Sequence, residues 1–150
     1  MMRYLWLTRE QAEEIARHAA KDAPREACGI IGGVGEKAAR LVPVINVADN
    51  PLNQYRLDDA GLVNTARALE DAGLEIIGFY HSHPDHPAQW STTDLAEAHW
   101  FGCSYVITAV QNGRAVVTNS FLLMGAEDEE KHFYEEKIVL VQNDLVKSTA

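Results

Sequence analysis

Two histidines and an aspartate are closely spaced in the middle of the chain. One residue separates His81 from His83, and Asp94 follows eleven residues after His83. Side chains two apart on a β-strand point to the same face, so both imidazoles would project together, and a chain reversal could bring the aspartate to them. Two imidazoles and a carboxylate, with a fourth position left for water, are typical of hydrolytic zinc sites. The spacing therefore predicts a metal centre at His81, His83 and Asp94.

The aspartate also fits a purely structural role. Ser91-Thr92-Thr93-Asp94 is a capping-box pattern, in which Ser91 caps a helix and Asp94 bonds back to the cap. The first turn of a helix stabilises a carboxylate, and that carboxylate could still face a metal. It is not expected to serve both tasks fully. Alone, the pattern favours the cap; with His81 and His83 upstream, it favours the metal ligand.

A hydrolytic metal site also needs a general base that takes a proton from water and passes it to the leaving amine. Glu26 is the best candidate, because it lies next to the apolar stretch 27–31, where a charged residue needs a reason. The alternative is an ordinary exposed glutamate at a strand edge. Glu75, just before the strand that leads into the histidines, is a weaker candidate for the same role.

Helix and strand signals alternate around these residues. Thr8 and Gln11 form a capping-box pattern before a helix that Pro24 ends, and Asp58 is placed to cap a second helix. A third helix is predicted at 91–100. Asn112-Gly113 is a strong hairpin signal. Strands are predicted at 27–31, 41–47, 74–81, 105–110, 115–123 and 138–141.

These elements predict a single α/β domain over residues 1–150, with a mixed sheet flanked by helices. Pro43 makes the strand at 41–47 an edge candidate, because proline cannot donate a ladder hydrogen bond. The charge run at 127–130 is predicted to be a solvated loop.

Composition limits the possible functions. The chain has 150 residues, of which 47% are hydrophobic, enough for one full core, and its net charge of −9 argues against a nucleic-acid partner. The absence of a signal peptide or a membrane-spanning apolar run predicts a cytoplasmic protein with no membrane partner. Cys28 and Cys103 have no CxxC spacing, so both are expected to be free thiols.

The stretch from Glu26 through His81-Ser82-His83-Pro84 to Ser91-Thr92-Thr93-Asp94 resembles the JAMM (MPN-plus) metalloprotease motif. That motif is a distant glutamate, then His-x-His, seven residues, Ser, two residues and Asp. The resemblance covers about residues 5–123. It implies Zn²⁺ held by His81, His83 and Asp94, with Glu26 as the acid/base and Ser91 as a hydrogen-bond donor to the oxyanion. It also implies a fold similar to that of the cytidine deaminases.

Members of this family cleave isopeptide or peptide bonds after the C-terminal Gly-Gly of ubiquitin or ubiquitin-like proteins. The chain is short and resembles the small prokaryotic members, several of which act on ubiquitin-like sulfur-carrier proteins. A thin Gly-Gly tail fits a narrow cleft and can add to a sheet edge. The resemblance therefore implies a zinc-dependent peptidase that acts on the Gly-Gly terminus of a sulfur carrier, in cysteine or sulfur metabolism.

Three alternatives stay open at this point. Relatives that lack the ligands serve as non-catalytic scaffolds, although this chain has the intact motif. A deubiquitinase-like isopeptidase would act on another ubiquitin-like modifier. A cysteine peptidase would use Cys28 as its nucleophile, although a cysteine among Ala27, Gly29 and Ile30 is more often a small buried residue. The choice of zinc over iron or manganese rests on ligand type and on the family.

Overall fold

Seven strands and three α-helices make up the part of the chain, residues 3–142, that the computed structural model describes. In chain order they are β1 (Tyr4–Thr8), α1 (Arg9–Asp22), β2 (Cys28–Val34), β3 (Lys37–Val44), α2 (Asp59–Asp71), β4 (Glu75–Pro84), α3 (Thr92–Glu97), β5 (Ser104–Gln111), β6 (Arg114–Met124) and β7 (His132–Val141). A 3₁₀ turn at Asp128–Glu130 precedes β7. Within the described range, no helix has the length and apolar character needed to cross a membrane.

The strands form one mixed sheet in the order β1-β3-β2-β4-β5-β6-β7. Its central strand, β4, pairs antiparallel with β2 and parallel with β5. Strand β1 runs parallel to β7 and meets β3 at Trp6 and Lys37, so the sheet closes into a barrel. The mixed α/β architecture expected from the sequence is confirmed. The closure is not anticipated, because β1 has only five residues and runs directly into the cap of α1.

The sheet buries apolar side chains on both faces. On one face, Ile15 of α1 packs in a cluster with strand residues Leu5, Leu7, Ile31, Ile77, Tyr80 and Val106. On the other face, Leu69 of α2 joins a larger cluster with Ile30, Phe79, Tyr105, Ile107, Phe121 and Phe133. Adjacent residues such as Ile30 and Ile31 thus point to opposite clusters, as a strand requires. Burial on both faces explains the near-continuous apolar runs of β2, β4 and β5.

The predicted caps and turn are confirmed. Thr8 Oγ1 accepts the backbone N–H of Gln11 at 3.0 Å, and the Gln11 side chain accepts the N–H of Thr8 at 2.9 Å, which completes the capping box of α1. Asp58 accepts the N–H of Gly61 at the start of α2. Asn112 and Gly113 both have positive φ and connect the antiparallel strands β5 and β6.

Several boundaries differ from the prediction. Strand β3 ends at Val44 instead of 47, and at Pro43 it pairs with β2 alone, as an edge position requires. Helix α3 ends at Glu97 instead of 100, because Ala98 is extended and the Trp100 N–H donates to the Tyr105 hydroxyl. Strand β7 begins at His132, six residues before the predicted start, because its first half pairs with β6. Tertiary contacts set each of these ends.

Candidate metal centre

Both histidines lie on the same face of strand β4, near its C-terminal end. Phe79, His81 and His83 alternate along the strand and therefore share a face, and both imidazoles are buried. Their Nε2 atoms lie 3.1 Å apart. Because β2 and β5 hold β4 on either side, its backbone cannot shift without breaking two ladders. The structure thus confirms the strand and the shared direction of the two side chains.

The first turn of α3 brings Asp94 to the histidines. Its Oδ2 lies 3.0 Å from Nε2 of His83, and its Oδ1 lies 3.3 Å from Nε2 of His81. The carboxylate is buried. The three residues that the spacing predicts to share a site are therefore brought into direct contact with one another.

The same aspartate completes a capping box with Ser91. Ser91 Oγ accepts the N–H of Asp94 at 3.0 Å, and Asp94 Oδ2 accepts the N–H of Ser91 at 2.9 Å. From the sequence, the cap and the metal ligand are expected to be competing roles that one carboxylate does not fully serve. In the structure both sets of contacts coexist, because each carboxylate oxygen has two lone pairs. Ser91 is exposed, and its cap bond uses the hydroxyl oxygen as an acceptor, which leaves the O–H hydrogen free to donate.

Glu26 is buried beside the two histidines. One carboxylate oxygen and one nitrogen of each imidazole lie within 4.8 Å of one another. Oε1 of Glu26 is buried and has no hydrogen-bond partner among residues 3–142. The alternative of an ordinary exposed glutamate is therefore wrong. Glu75 is exposed at the opposite end of β4, about 20 Å along the strand from His81 at 3.3 Å per residue, so it cannot replace Glu26 as the base.

Ser82 fixes the position of Glu26 relative to the histidines. Its Oγ accepts the N–H of Ala27 at 2.7 Å, and its own N–H donates to the Ala27 carbonyl at 3.0 Å. These bonds join the residue after Glu26 to the residue between His81 and His83. Ser82 has no predicted role in the sequence. The one signal for it is its place between the two predicted ligands, with its side chain on the opposite face of the strand.

Asn46 holds the loop between β3 and α2 and is not predicted as a site residue, because the sequence pattern places it in a strand at 41–47. Its side-chain amide donates to the carbonyls of Glu26 (3.0 Å) and Gln54 (2.9 Å) and accepts from the N–H groups of Ala48 (3.0 Å) and Arg56 (3.1 Å). The amide is buried and uses all four of its bonding positions. The preference of asparagine for bonding to nearby backbone, just before the Asn50-Pro51 turn, is the signal that could have identified it.

The loop closed by Asn46 places Tyr55 over the histidines. The Tyr55 ring stacks on the His81 ring with centroids 4.2 Å apart and planes 22° from parallel. Beside this stack, a cleft of about 340 Å³ opens between the loop and α3. Its lining comprises Ala48, Asp49, Gln54, Tyr55, Arg56, Thr93, Asp94 and Glu97. The cleft reaches Asp94 and is therefore the open approach to the buried cluster.

The two carboxyl groups of the cluster are driven to opposite protonation states. Burial raises the pKa of Glu26 to about 8, an effect that the nearby His83 partly offsets. Burial also acts to raise the pKa of Asp94, but hydrogen bonds from His81 and His83 and from the Ser91 backbone outweigh it and hold that pKa well below its ordinary value. Asp94 is therefore a permanent anion, whereas Glu26 titrates near neutral pH.

The pKa values of the two imidazoles are also shifted in opposite directions. Burial lowers the pKa of His81 despite its contact with Asp94. At His83 burial acts in the same direction, but bonds to Asp94 and to the Pro87 carbonyl outweigh it and raise the pKa. Nδ1 of His83 donates to that carbonyl at 2.8 Å, which directs Nε2 on the other side of the ring towards Asp94 and His81.

The donor set fits a divalent metal ion. Zinc binds imidazole nitrogen at about 2.0–2.1 Å and carboxylate oxygen at about 2.0–2.2 Å, so two atoms on one ion lie at most about 4.2–4.3 Å apart. The contacts among His81, His83 and Asp94 measure 3.0–3.3 Å, within that limit. The buried, unpartnered Oε1 of Glu26 adds a polar group that a coordinated water could satisfy.

Sequence comparison identifies the family. Residues 8–122 match the family of prokaryotic homologues of the JAB domain. A probable TtuB-protein conjugate cleaving protease from Thermus thermophilus is 38% identical over 111 residues, 74% of either chain. A desampylase from Haloferax volcanii is 40% identical over 111 residues, 69% of this chain and 78% of the relative. A CysO-cysteine peptidase from Mycobacterium tuberculosis is 33% identical over 116 residues, 75% and 79%.

Solved structures agree with this assignment. The solution structure of a Desulfitobacterium hafniense protein superposes with a TM-score of 0.78 at 29% identity, over 93% of this chain and 94% of the other. A JAB1/MPN domain protein from Archaeoglobus fulgidus has the same fold, with a TM-score of 0.55 at 16% identity over 92% and 97%. The chain therefore belongs to the prokaryotic JAB (JAMM/MPN) family of metallopeptidases.

Proposed function

We propose that the protein is a zinc-dependent peptidase that hydrolyses the bond after the C-terminal Gly-Gly of a ubiquitin-like protein of the sulfur-carrier type. The observation that carries the proposal is a buried cluster of two imidazoles and two carboxyl groups, one with a raised and one with a lowered pKa, next to a cleft that reaches Asp94. A cytoplasmic role in cysteine or sulfur metabolism is part of the proposal.

The pKa values divide the two carboxyl groups between two roles. Asp94 remains ionised and contacts both imidazoles, which suits a metal ligand together with His81 and His83. Glu26 has a pKa of about 8, close to neutral pH, where a group can both accept and return a proton. Pairs of carboxyl groups with pKa values pushed apart are a recurrent sign of divided acid/base duties.

The protein groups then account for the reaction. His81, His83 and Asp94 would hold the zinc ion, which would supply a coordinated water with a pKa of about 7 and a positive charge next to the scissile carbonyl. Glu26 removes a proton from the attacking water and delivers it to the leaving nitrogen, which adds roughly 10²–10⁴-fold in rate. The Ser91 hydroxyl, whose hydrogen the capping box leaves free, donates to the carbonyl oxygen as negative charge develops there.

The position of the cleft is compatible with a Gly-Gly substrate. The approach to Asp94 runs between the loop that ends near Arg56 and α3. Two glycines have no side chains, so an extended Gly-Gly tail can lie close to both walls of this cleft. The relatives from Thermus thermophilus and Mycobacterium tuberculosis are named for cleavage of a TtuB-protein conjugate and for a CysO-cysteine peptidase activity, and both names support this proposal.

The decisive experiment offers the purified protein a set of ubiquitin-like carriers extended at their C-terminal glycine by cysteine or joined to a lysine. Mass spectrometry after incubation, with and without a chelator, reports activity, bond position and metal dependence together. We expect cleavage directly after Gly-Gly, loss of activity with chelator and recovery with Zn²⁺.

The alternatives predict other results. A scaffold would leave every carrier intact, whether or not metal is bound. An isopeptidase for another modifier would cleave the lysine-linked conjugates and leave the cysteine adducts uncut. Stoichiometric zinc with no cleavage of any Gly-Gly carrier would contradict the proposed substrate class.

A further inference from the structure

We propose that Tyr55 is a positioning residue that holds the His81 imidazole in its metal-binding orientation. This inference rests on the proposed function, in that His81 is taken to be a metal ligand. Tyr55 lies outside the motif of the family resemblance, and it acts through His81, not on the substrate.

The two histidines are held in different ways. The ring of His83 is fixed by the 2.8 Å bond from its Nδ1 to the Pro87 carbonyl. The corresponding Nδ1 of His81 is buried and has no hydrogen-bond partner in the described part of the chain. Metal-bound histidines almost always have such a partner, which fixes the ring orientation and tautomer. His81 therefore needs another restraint on its ring.

Tyr55 provides that restraint. Its ring covers the His81 ring at a centroid distance of 4.2 Å and an angle of 22°, a near-parallel stack. Aromatic pairs favour defined offset or edge-to-face geometries, so a fixed Tyr55 ring limits rotation of the imidazole about its χ2 angle. The His81 ring also contacts the tilted ring of His83, with ring centroids 4.9 Å apart. Together these neighbours restrain the imidazole with Nε2 towards Asp94.

The loop that carries Tyr55 is held rigidly enough for this task. Asn46 bonds to the backbone of Gln54 and Arg56 on either side of Tyr55, and the Val47 N–H donates to the Arg56 carbonyl at 2.9 Å. The same amide bonds to the carbonyl of Glu26, whose own N–H donates to the Pro51 carbonyl at 2.8 Å. One buried side chain thus connects the Tyr55 stack to the backbone of the proposed base.

Metal affinity tests the proposal without any turnover. Metal-free wild-type and variant proteins are titrated with Zn²⁺ against a chromogenic chelator of known affinity. We expect Tyr55→Leu to lower zinc affinity by at least about 10-fold, as loss of an outer-shell partner of a metal ligand typically does. Tyr55→Phe, which keeps the ring and removes the hydroxyl, should retain the affinity of the wild type.

A matched control comes from a second tyrosine–histidine pair. Tyr134 and His132 make an edge-to-face contact on β7 with centroids 4.7 Å apart, and neither lines the cleft. Tyr134→Leu should bind zinc as the wild type does. Thermal unfolding of the metal-free proteins establishes that each variant is folded, and Tyr55→Met replaces the leucine variant if that one does not fold.

A second variant tests the role of the loop. Asn46→Asp replaces the amide donor by an acceptor that faces the carbonyls of Glu26 and Gln54, which should release the loop and lower zinc affinity. If Asn46 acts through Tyr55, the double variant Asn46→Asp/Tyr55→Leu should show a smaller fold-loss in zinc affinity than the product of the two single fold-losses. A fold-loss equal to that product would show that Asn46 does not act through Tyr55.

The outcomes separate this inference from the proposed function. Two results would overturn the role of the Tyr55 ring and leave the peptidase proposal intact, provided that the wild type binds zinc. One is an unchanged zinc affinity in Tyr55→Leu, and the other is an equal loss of affinity in the leucine and phenylalanine variants. A wild-type protein that binds no zinc would instead remove the proposed function. Weakened binding in Tyr55→Leu alone supports the positioning role.

Discussion

At the scale of residues, the site depends on two carboxyl groups that face the same imidazoles from different environments. Asp94 receives backbone and imidazole hydrogen bonds that stabilise its anion, whereas Oε1 of Glu26 is buried with no such bond among the described residues. Hydrogen bonding to the charged form lowers a pKa, and desolvation raises it. Two carboxyl groups in one cluster thus differ in charge: Asp94 is held ionised, whereas Glu26 exchanges a proton near neutral pH.

Glu26→Gln tests the acid/base assignment. Because glutamine has the same shape but cannot take the proton, we expect stoichiometric zinc to remain bound and turnover of a Gly-Gly carrier to fall by roughly 10²–10⁴-fold. Metal content and steady-state kinetics are measured on the same preparation. Glu75→Gln is the control and should keep full activity, since Glu75 is exposed at the far end of β4. Equal loss in both variants would contradict the assignment.

The reactivity of Cys28 tests the cysteine-peptidase alternative. Burial raises the pKa of the Cys28 thiol to about 12 and that of Cys103 to about 11, so neither is a thiolate near neutral pH. We expect iodoacetamide to leave the native protein unmodified and active, and to modify both cysteines once denaturant is added. Intact-mass measurement follows the reaction. Loss of activity that tracks alkylation of Cys28 would revive the cysteine mechanism.

At the scale of elements, three short segments must meet for the site to form. Strand β4 supplies the histidines, the first turn of α3 supplies Asp94, and the residues just before β2 supply Glu26. The β2–β4 ladder aligns Cys28 with His81, and Ser82 extends that pairing to Ala27. Glu26, the proposed acid/base, is far away in sequence and is thus placed by the register of two neighbouring strands.

Ser82→Ala tests this link between β2 and β4. The variant leaves the Ala27 N–H without the Oγ acceptor, which should cost about 1–3 kcal/mol of unfolding free energy. Activity should also fall, because the backbone beside Glu26 loses one restraint. Ser120→Ala is the control: it removes another buried serine bond, to Glu136, and should lower stability without lowering activity per folded molecule. Stability is measured by urea unfolding and activity by steady-state kinetics. An equal loss of activity per folded molecule in both variants would refute the link.

At the scale of the whole molecule, the closed sheet holds a cluster of ionisable groups away from water. Glu26, His81, His83 and Asp94 are all buried between the sheet and the segments that cover it. Burying a carboxyl group that stays protonated at neutral pH makes folding sensitive to pH, because the unfolded chain releases that proton more readily. Burial of Glu26 should therefore make the unfolding free energy of the whole domain depend on pH.

The metal-free protein should accordingly lose stability as pH rises towards 8. The pKa of Glu26 is about 8 in the folded state and ordinarily 4.5, so between these values the unfolded chain ionises first and is favoured by rising pH. Glu26→Gln removes this contribution. We expect its stability advantage over the wild type to grow from about pH 5 to about pH 8, as measured by urea unfolding. The low pKa of Asp94 acts only in more acidic solution, and the shifted pKa values of His81 and His83 belong to both proteins, so the difference in stability between the two proteins reports Glu26.

An unchanged difference between the two proteins across that range would show that Glu26 ionises normally in the folded state. The measurement needs metal-free protein throughout, because bound metal adds its own stabilisation to the folded form.

The sequence alone predicts which residues meet in the candidate site and most of the elements that carry them. The His-x-His pattern on an apolar strand, the Ser-x-x-Asp cap and the turn signals are local features, in which residue type and spacing fix direction and boundary. For this reason His81, His83, Asp94 and Glu26 can be named in advance, and the caps at Thr8 and Asp58 are recovered.

Only the tertiary structure decided what depends on contacts between distant segments. Four features belong to this class: the double use of Asp94 as cap and neighbour of both imidazoles, the closure of the sheet by β1, the early end of α3, and the placement of Tyr55 on His81 by Asn46. Each depends on which side chains meet across the fold and on how much water the fold excludes from them. The spacing of residues along the sequence predicts neither the long-range contacts nor the burial.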